Sequence, residues 1–235
     1  MSEASVRTSP AASGPRRRQL SLPVQTGPTA DVLIPPPDYV AAVRKTLRII
    51  DLDPCSTQHC QNRVEALRWV PAEDHKSSLA SEWSGHVFLH PHPVASIARL
   101  QVQKLLLEYL GRRVKSAILL LQRFDFMRSE PLLLSFPWLL HYVRLTQQRF
   151  NVASNELVPF YPSNNTTTIY LPETDGVHYC DDAINRFLSA FDTYGRIIIA
   201  EDLNQDWQQG ALLASRRMSL KPLLTETRIT RHFTA

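Results

Sequence analysis

The stretch GHVFLHPHPVASIARLQVQKLLLEYLGRRVKSAILLLQ, residues 85–122, decides the fold. HVFLHP at its start reads as the end of a buried strand, and VKSAILLLQ at its close is an unbroken apolar run of strand length. Runs of that kind belong to strands covered on both faces. Between them Ile97, Leu100, Leu105, Leu106 and Tyr109 follow helical spacing as far as Gly111, which reads as a helix stopped by a glycine cap. Strand, helix and buried strand in succession imply an α/β sheet with helices on both faces.

The flanking sequence extends this pattern. Upstream, DYVAAVRKTLRII places Val40, Val43, Leu47 and Ile50 three or four apart behind Asp38, a candidate helix cap. IIDLD then reads as a strand leading into the polar connection PCSTQHCQNR. Downstream, EPLLLSFPWLL reads as mostly helical, HYVRLTQQRF as strand and turn, and NNTTTIYLP as a strand rich in β-branched residues. DDAINRFLSAFDTYG is a helix with an acidic start, which suits the positive end of the helix dipole, and RIIIAED is the last strand.

The ends differ in composition. Residues 1–37 carry seven prolines and a triple arginine with no apolar periodicity, so they read as a disordered basic tail. One domain is expected over 38–203, followed by a second basic tail over 204–235. The net charge of +4 is unevenly spread. Arg7, Arg16, Arg17 and Arg18 against Glu3 make residues 1–30 basic, and Arg216, Arg217, Lys221, Arg228 and Arg231 against Glu226 do the same for residues 215–235. Two basic tails on a mildly acidic body suit contact with phosphate backbones, although solvated chain ends show the same composition.

Only 7 glycines stand against 17 prolines, and neither a GxGxxG nor a GxxxxGK[ST] motif is present. This argues against a standard dinucleotide or P-loop site. Three cysteines, Cys55, Cys60 and Cys180, cannot form a fully paired framework, which favours a reducing, cytoplasmic setting. No apolar stretch approaches membrane-spanning length, so no membrane partner is expected.

The ordered series IDLDPCS (50–56), VPAED (70–74), SLASEWSGHVFLHPHP (78–93), KSAILLLQRFDF (115–126) and YVRLTQQRFN (142–151) resembles the phage-type DNA N-6-adenine methyltransferase family, from about Pro37 to Gly195. The resemblance implies a Rossmann-like methyltransferase sheet that binds S-adenosylmethionine and methylates adenine in DNA. It places Asp51, Asp53, Pro54 and Cys55 near the cofactor, beyond the carboxyl end of a strand. Without the surrounding pattern, Asp53-Pro54 would read as a simple turn.

His90-Pro91-His92-Pro93 stands where the family has Asn-Pro-Pro-Tyr. In the family, the Asn oxygen and a proline carbonyl accept the two hydrogens of the adenine amine, and the aromatic ring stacks on the flipped base. His90 can accept only when neutral and through one nitrogen, Pro93 removes the aromatic stack, and His92 changes the stiff carbonyl geometry. The lost stack alone costs about 1–3 kcal/mol per base. The loop after the tetrad also lacks glycine, and Arg123 and Asp125 survive at QRFDF without the family's threonines. Impaired or absent catalysis is therefore expected, with a non-catalytic DNA- or protein-binding module as the alternative. If methylation persists, His90 and the Pro91 carbonyl must accept the amine hydrogens.

Arg112, Arg113 and Arg123 are candidate phosphate contacts, together with Lys115 and Arg128. Trp83 and Tyr142 sit in apolar patterns and read as core more readily than as base-stacking residues. A metal reading would join His90 and His92 to Cys55, His59 and Cys60, but CxxxHC is no standard zinc spacing and no metal is expected.

Overall fold

The structure is a computed structural model that describes residues 33–122, 125–141, 145–151, 156–160, 166–174 and 179–199. Nearly all of the expected tails, Arg123 and Tyr142 fall outside the described residues.

In chain order the elements are β1 (Leu33–Ile34), α1 (Pro37–Leu47), β2 (Leu52–Ser56), α2 (Gln58–Val64), β3 (Arg68–Pro71), α3 (His75–Ala80) and β4 (Gly85–Leu89). They continue with α4 (Ala95–Leu110), β5 (Val114–Leu121), α5 (Asp125–Ser129), β6 (Trp138–His141), β7 (Gln147–Asn151), β8 (Glu156–Phe160), β9 (Thr167–Leu171), α6 (Asp181–Phe191) and β10 (Gly195–Ile198). Seven strands form one mixed sheet in the order β10-β6-β9-β5-β4-β2-β3. Strands β3, β2, β4 and β5 run parallel, whereas β9 is antiparallel to both β5 and β6, and β10 to β6. A second, three-stranded sheet has the order β1-β7-β8.

Strand alternation divides the core in two. Val87, Leu89, Ala117, Leu119, Leu121, Ile169 and Leu171 pack with Val102, Leu105 and Leu106 of α4 on one face. Phe88, Ile118, Leu120 and Tyr170 pack on the other against Tyr39, Val43 and Leu47 of α1 and Phe187 and Phe191 of α6. Strand β5 is buried along nearly its whole length between these helical layers, as its unbroken apolar run requires. Trp83 is fully buried and donates its indole N–H to the Ser78 carbonyl at 2.9 Å, so it belongs to the core.

Several local expectations need correction. Pro36 precedes α1 and Pro37 opens it, so Asp38 lies inside the first turn and makes no side-chain cap bond. A proline suits that opening position because its missing N–H has no helical partner to lose. Strand β2 begins at Leu52, which puts Asp-Pro-Cys-Ser inside the strand. Its pairing with β3 shifts register between Asp53 and Ser56, where Pro54 offers no N–H to a ladder. The segment 130–140 is a 3-10 turn over Pro131–Ser135 followed by strand β6, because Pro131 and Pro137 bracket too little chain for a full helix.

At the end of α4, Gly111 has φ −75° and Arg112 takes the left-handed position at φ 60°. The Arg112 N–H donates to the Tyr109 carbonyl at 2.9 Å and the Arg113 N–H to the Glu108 carbonyl at 3.0 Å. These are the two bonds of a Schellman turn, with arginine where glycine is usual.

Candidate functional site

Strand order reverses beside β2: the chain leaves it for β3 on one side and then crosses to β4 on the other. In open α/β sheets, ligands occupy the crevice beyond the carboxyl ends of strands at such a point. Strand β2 pairs with β4 at Leu52 and Val87, and its remaining residues run past that contact. Asp53-Pro54-Cys55 lies on β2 at this end, and His90-Pro91-His92-Pro93 directly follows β4, its neighbour in the sheet.

Asp53 is only 2% exposed. One carboxylate oxygen accepts from the Gln61 amide at 2.8 Å, and the other accepts from the Cys55 backbone N–H at 3.3 Å. Burial pushes its pKa up to about 7, against the opposing pull of hydrogen bonds from Ser56, Cys55 and Gln61. Gln61 also donates to Ser56 Oγ at 2.8 Å and accepts from the Ala66 N–H at 3.0 Å, so its amide is spent on structure. The Pro54 carbonyl accepts from Ser78 Oγ at 2.6 Å. Burial raises the Cys55 thiol to about 12 and the Cys60 thiol to about 11, which leaves both protonated and unreactive.

The tetrad follows the end of β4 at Leu89. His90 Nε2 lies 2.9 Å from the Gln122 amide nitrogen. Burial lowers its pKa to about 4, so it is neutral, while the Leu33 carbonyl nearby pulls weakly the other way. His92 lines a hollow of about 50 Å³ on the α4 side with Pro91, Pro93, Ala98, Leu121, Gln122 and Phe126. Its backbone N–H donates to Gln101 Oε1 at 2.8 Å, and its Nδ1 accepts from the Val94 N–H at 3.1 Å. Burial and the neighbouring His75, with ring centroids 5.7 Å apart, lower the His92 pKa.

The remaining candidates lie elsewhere. Asp51 precedes β2 at the amino end of the sheet, where its Oδ2 accepts from the His86 N–H at 2.7 Å. Gly85, with φ 78°, leaves room for that carboxylate. Arg112 and Arg113 also flank the amino end, between α4 and β5, and Arg113 pairs with Glu108. They therefore do not border the crevice. Among the described residues, no group of three or more His, Cys, Asp and Glu side chains could hold a metal, and no helix is long and apolar enough to cross a membrane. Cys55, Cys60 and Cys180 form no disulfide.

Gln61, Gln101 and Gln122 are the site residues that motif reasoning missed. Gln101 carried a usable signal, since it falls on the buried stripe Ala98, Gln101, Val102, Leu105 of α4. A polar residue in such a stripe needs a buried partner.

No protein-family model, curated protein or solved structure matches the chain.

Proposed function

We propose that the chain is a Rossmann-like, methyltransferase-type scaffold of the phage DNA N-6-adenine kind that binds DNA without transferring methyl groups. One observation carries this reading. The Asp-Pro-Cys-Ser strand lies at the strand-order reversal, where a nucleotide-like ligand would sit, yet the Asp53 carboxylate is bonded to Gln61 and the Cys55 N–H, and His90 Nε2 to Gln122, so neither is left to hold a cofactor or an adenine amine.

S-adenosylmethionine does not fit the described residues of that edge. The oxygens of Asp53 are committed to Gln61 and the Cys55 N–H, and no glycine lies between Leu52 and Val64 to admit a ligand close to the backbone. No catalytic step through the cofactor follows from this arrangement. DNA contact is assigned to the basic residues of the two ends, since Arg112 and Arg113 border the opposite edge of the sheet.

Two titrations of the full chain test the reading. Duplex DNA is expected to be retarded at low salt, and S-adenosylmethionine to give no binding heat at millimolar concentration. Micromolar cofactor binding together with N6-methyladenine in the DNA would overturn the claim of silence. Failure to bind DNA at low salt would overturn the partner.

A further inference from the structure

The hollow beside His92 has two kinds of wall. Pro91, Pro93, Leu121 and Phe126 make one part apolar, and Ala95 and Ala98 bring in the first turn of α4. Pro93, Val94 and Ala95 are exposed, so this turn stands at the mouth, open to solvent.

The polar groups offered here are donors. Helix α4 is 16 residues long, and no side chain caps its start. The Ala98 N–H reaches the Val94 carbonyl at 2.9 Å, which leaves the N–H groups of Ala95, Ser96 and Ile97 without an intrahelical partner at the positive end of the helix dipole. Every helix has such a start, but this one faces a buried histidine with a nitrogen to spare. His92 is 6% exposed, Gln101 Oε1 holds its backbone N–H, and its Nδ1 accepts from the Val94 N–H at 3.1 Å. A ring nitrogen that accepts carries no proton, so the proton sits on Nε2. Among the described residues, that Nε2–H has no partner. Gln122, on the same wall, gives its amide nitrogen to His90 and keeps its oxygen shielded.

The chemistry of the ligand follows from these groups. Donors gathered at the positive end of a helix, with no acidic side chain among the described lining residues, select an anion. Neither lysine nor arginine is among those residues, so the site supplies partial charges that suit one carboxylate better than a doubly charged phosphate. The apolar wall favours a hydrocarbon chain on the same molecule. At about 10–15 Å³ for each water, a hollow of about 50 Å³ takes about three to five waters, which limits that chain to a few carbons.

We infer that the hollow between α4 and the ends of β4 and β5 binds a free short-chain monocarboxylate, with its carboxylate on His92 Nε2 and the first N–H groups of α4 and its chain against Pro91, Leu121 and Phe126. The inference does not depend on the methyltransferase-like reading or on DNA.

Butanoate, titrated into the full chain near neutral pH, tests it, with butanamide as the uncharged analogue and inorganic phosphate as the rival anion. The backbone amide resonances of Ser96 and Ile97 and the ring resonances of His92 report binding. Butanoate should shift them with a Kd of about 1 mM, and butanamide and phosphate should each bind at least about tenfold more weakly. Ala95→Glu sets a carboxylate at the mouth, in a first turn where an acid is favourable, so Tm should not fall while butanoate binding weakens at least about tenfold. His92→Asn keeps an acceptor for the Val94 N–H but removes the Nε2 donor, and should weaken binding by a similar factor, read at Ser96 and Ile97. No shift at about 50 mM butanoate, equal binding by butanamide, tighter binding by phosphate, or unimpaired binding in either variant would overturn the inference.

Discussion

Gln101 Oε1 accepts the backbone N–H of His92 at 2.8 Å, which fixes the proline-flanked loop after β4 to the buried face of α4. Replacing Gln101 by Leu keeps the apolar stem but strands that N–H in a buried place. A loss of about 1–3 kcal/mol is expected in urea unfolding. Unchanged stability would mean that the loop is anchored by its prolines alone.

Arg112→Gly should stabilise the chain. The left-handed position at φ 60° costs an ordinary residue more than glycine, while both Schellman bonds come from the backbone and survive the change. Chemical denaturation should show a gain of about 0.5–1 kcal/mol.

Gly85→Ala should do the opposite. A Cβ there would collide with Asp51 Oδ2, on a backbone already at φ 78°. The carboxylate would have to move and weaken its 2.7 Å bond from the His86 N–H. A loss of about 2–4 kcal/mol is expected by the same measurement. The double variant with Asp51→Ala should recover the part due to the clash.

The pH dependence has two opposed parts. His90 titrates near 4 in the folded chain against an ordinary 6.5, so its contribution is complete above pH 6.5 and is lost as pH falls toward 4. His141, also lowered to about 4 by burial, acts in the same direction. Asp53 titrates near 7 against an ordinary 3.8, so its contribution is complete below pH 3.8 and is lost as pH rises toward 7. Asp53→Asn should therefore be more stable than the parent at pH 8, by up to about 4 kcal/mol, with the gain fading toward pH 4. His90→Gln should flatten the acid limb. Stability curves from pH 4 to 8 check both signs.

DNA affinity should depend steeply on salt. Arg7, Arg16, Arg17 and Arg18 at one end and Arg216, Arg217, Lys221, Arg228 and Arg231 at the other could neutralise phosphates. The slope of log affinity against log salt should reach about −5 to −8 and flatten when residues 1–30 and 215–235 are removed. A slope unchanged by the truncation would place the contact on the folded part.

The parallel half of the sheet was legible because β4, α4 and β5 carry unambiguous periods, and the burial of Ile118, Leu119 and Leu120 follows from their apolar run. The other half was obscured by proline. Pro131 and Pro137 turn a leucine-rich segment of helical appearance into a 3-10 turn and a strand, a tertiary outcome that local composition does not express. The site was legible as motifs and not as geometry. Nothing in His-Pro-His-Pro says that Gln101 holds the His92 N–H or that His90 Nε2 meets Gln122, because that depends on where β4 ends and on residues of other elements.

The position of β9 also dictates an order of assembly. Strand β6 is synthesised before β9 but joins the main sheet only through β9, which lies between it and β5. Until residue 171 has left the ribosome, β5 offers an open hydrogen-bonding edge beside some of the most apolar surface of the protein. A nascent chain stalled between β6 and β9 would be ready to take a strand from a neighbouring chain, which makes the middle of translation the period when this protein most needs a chaperone.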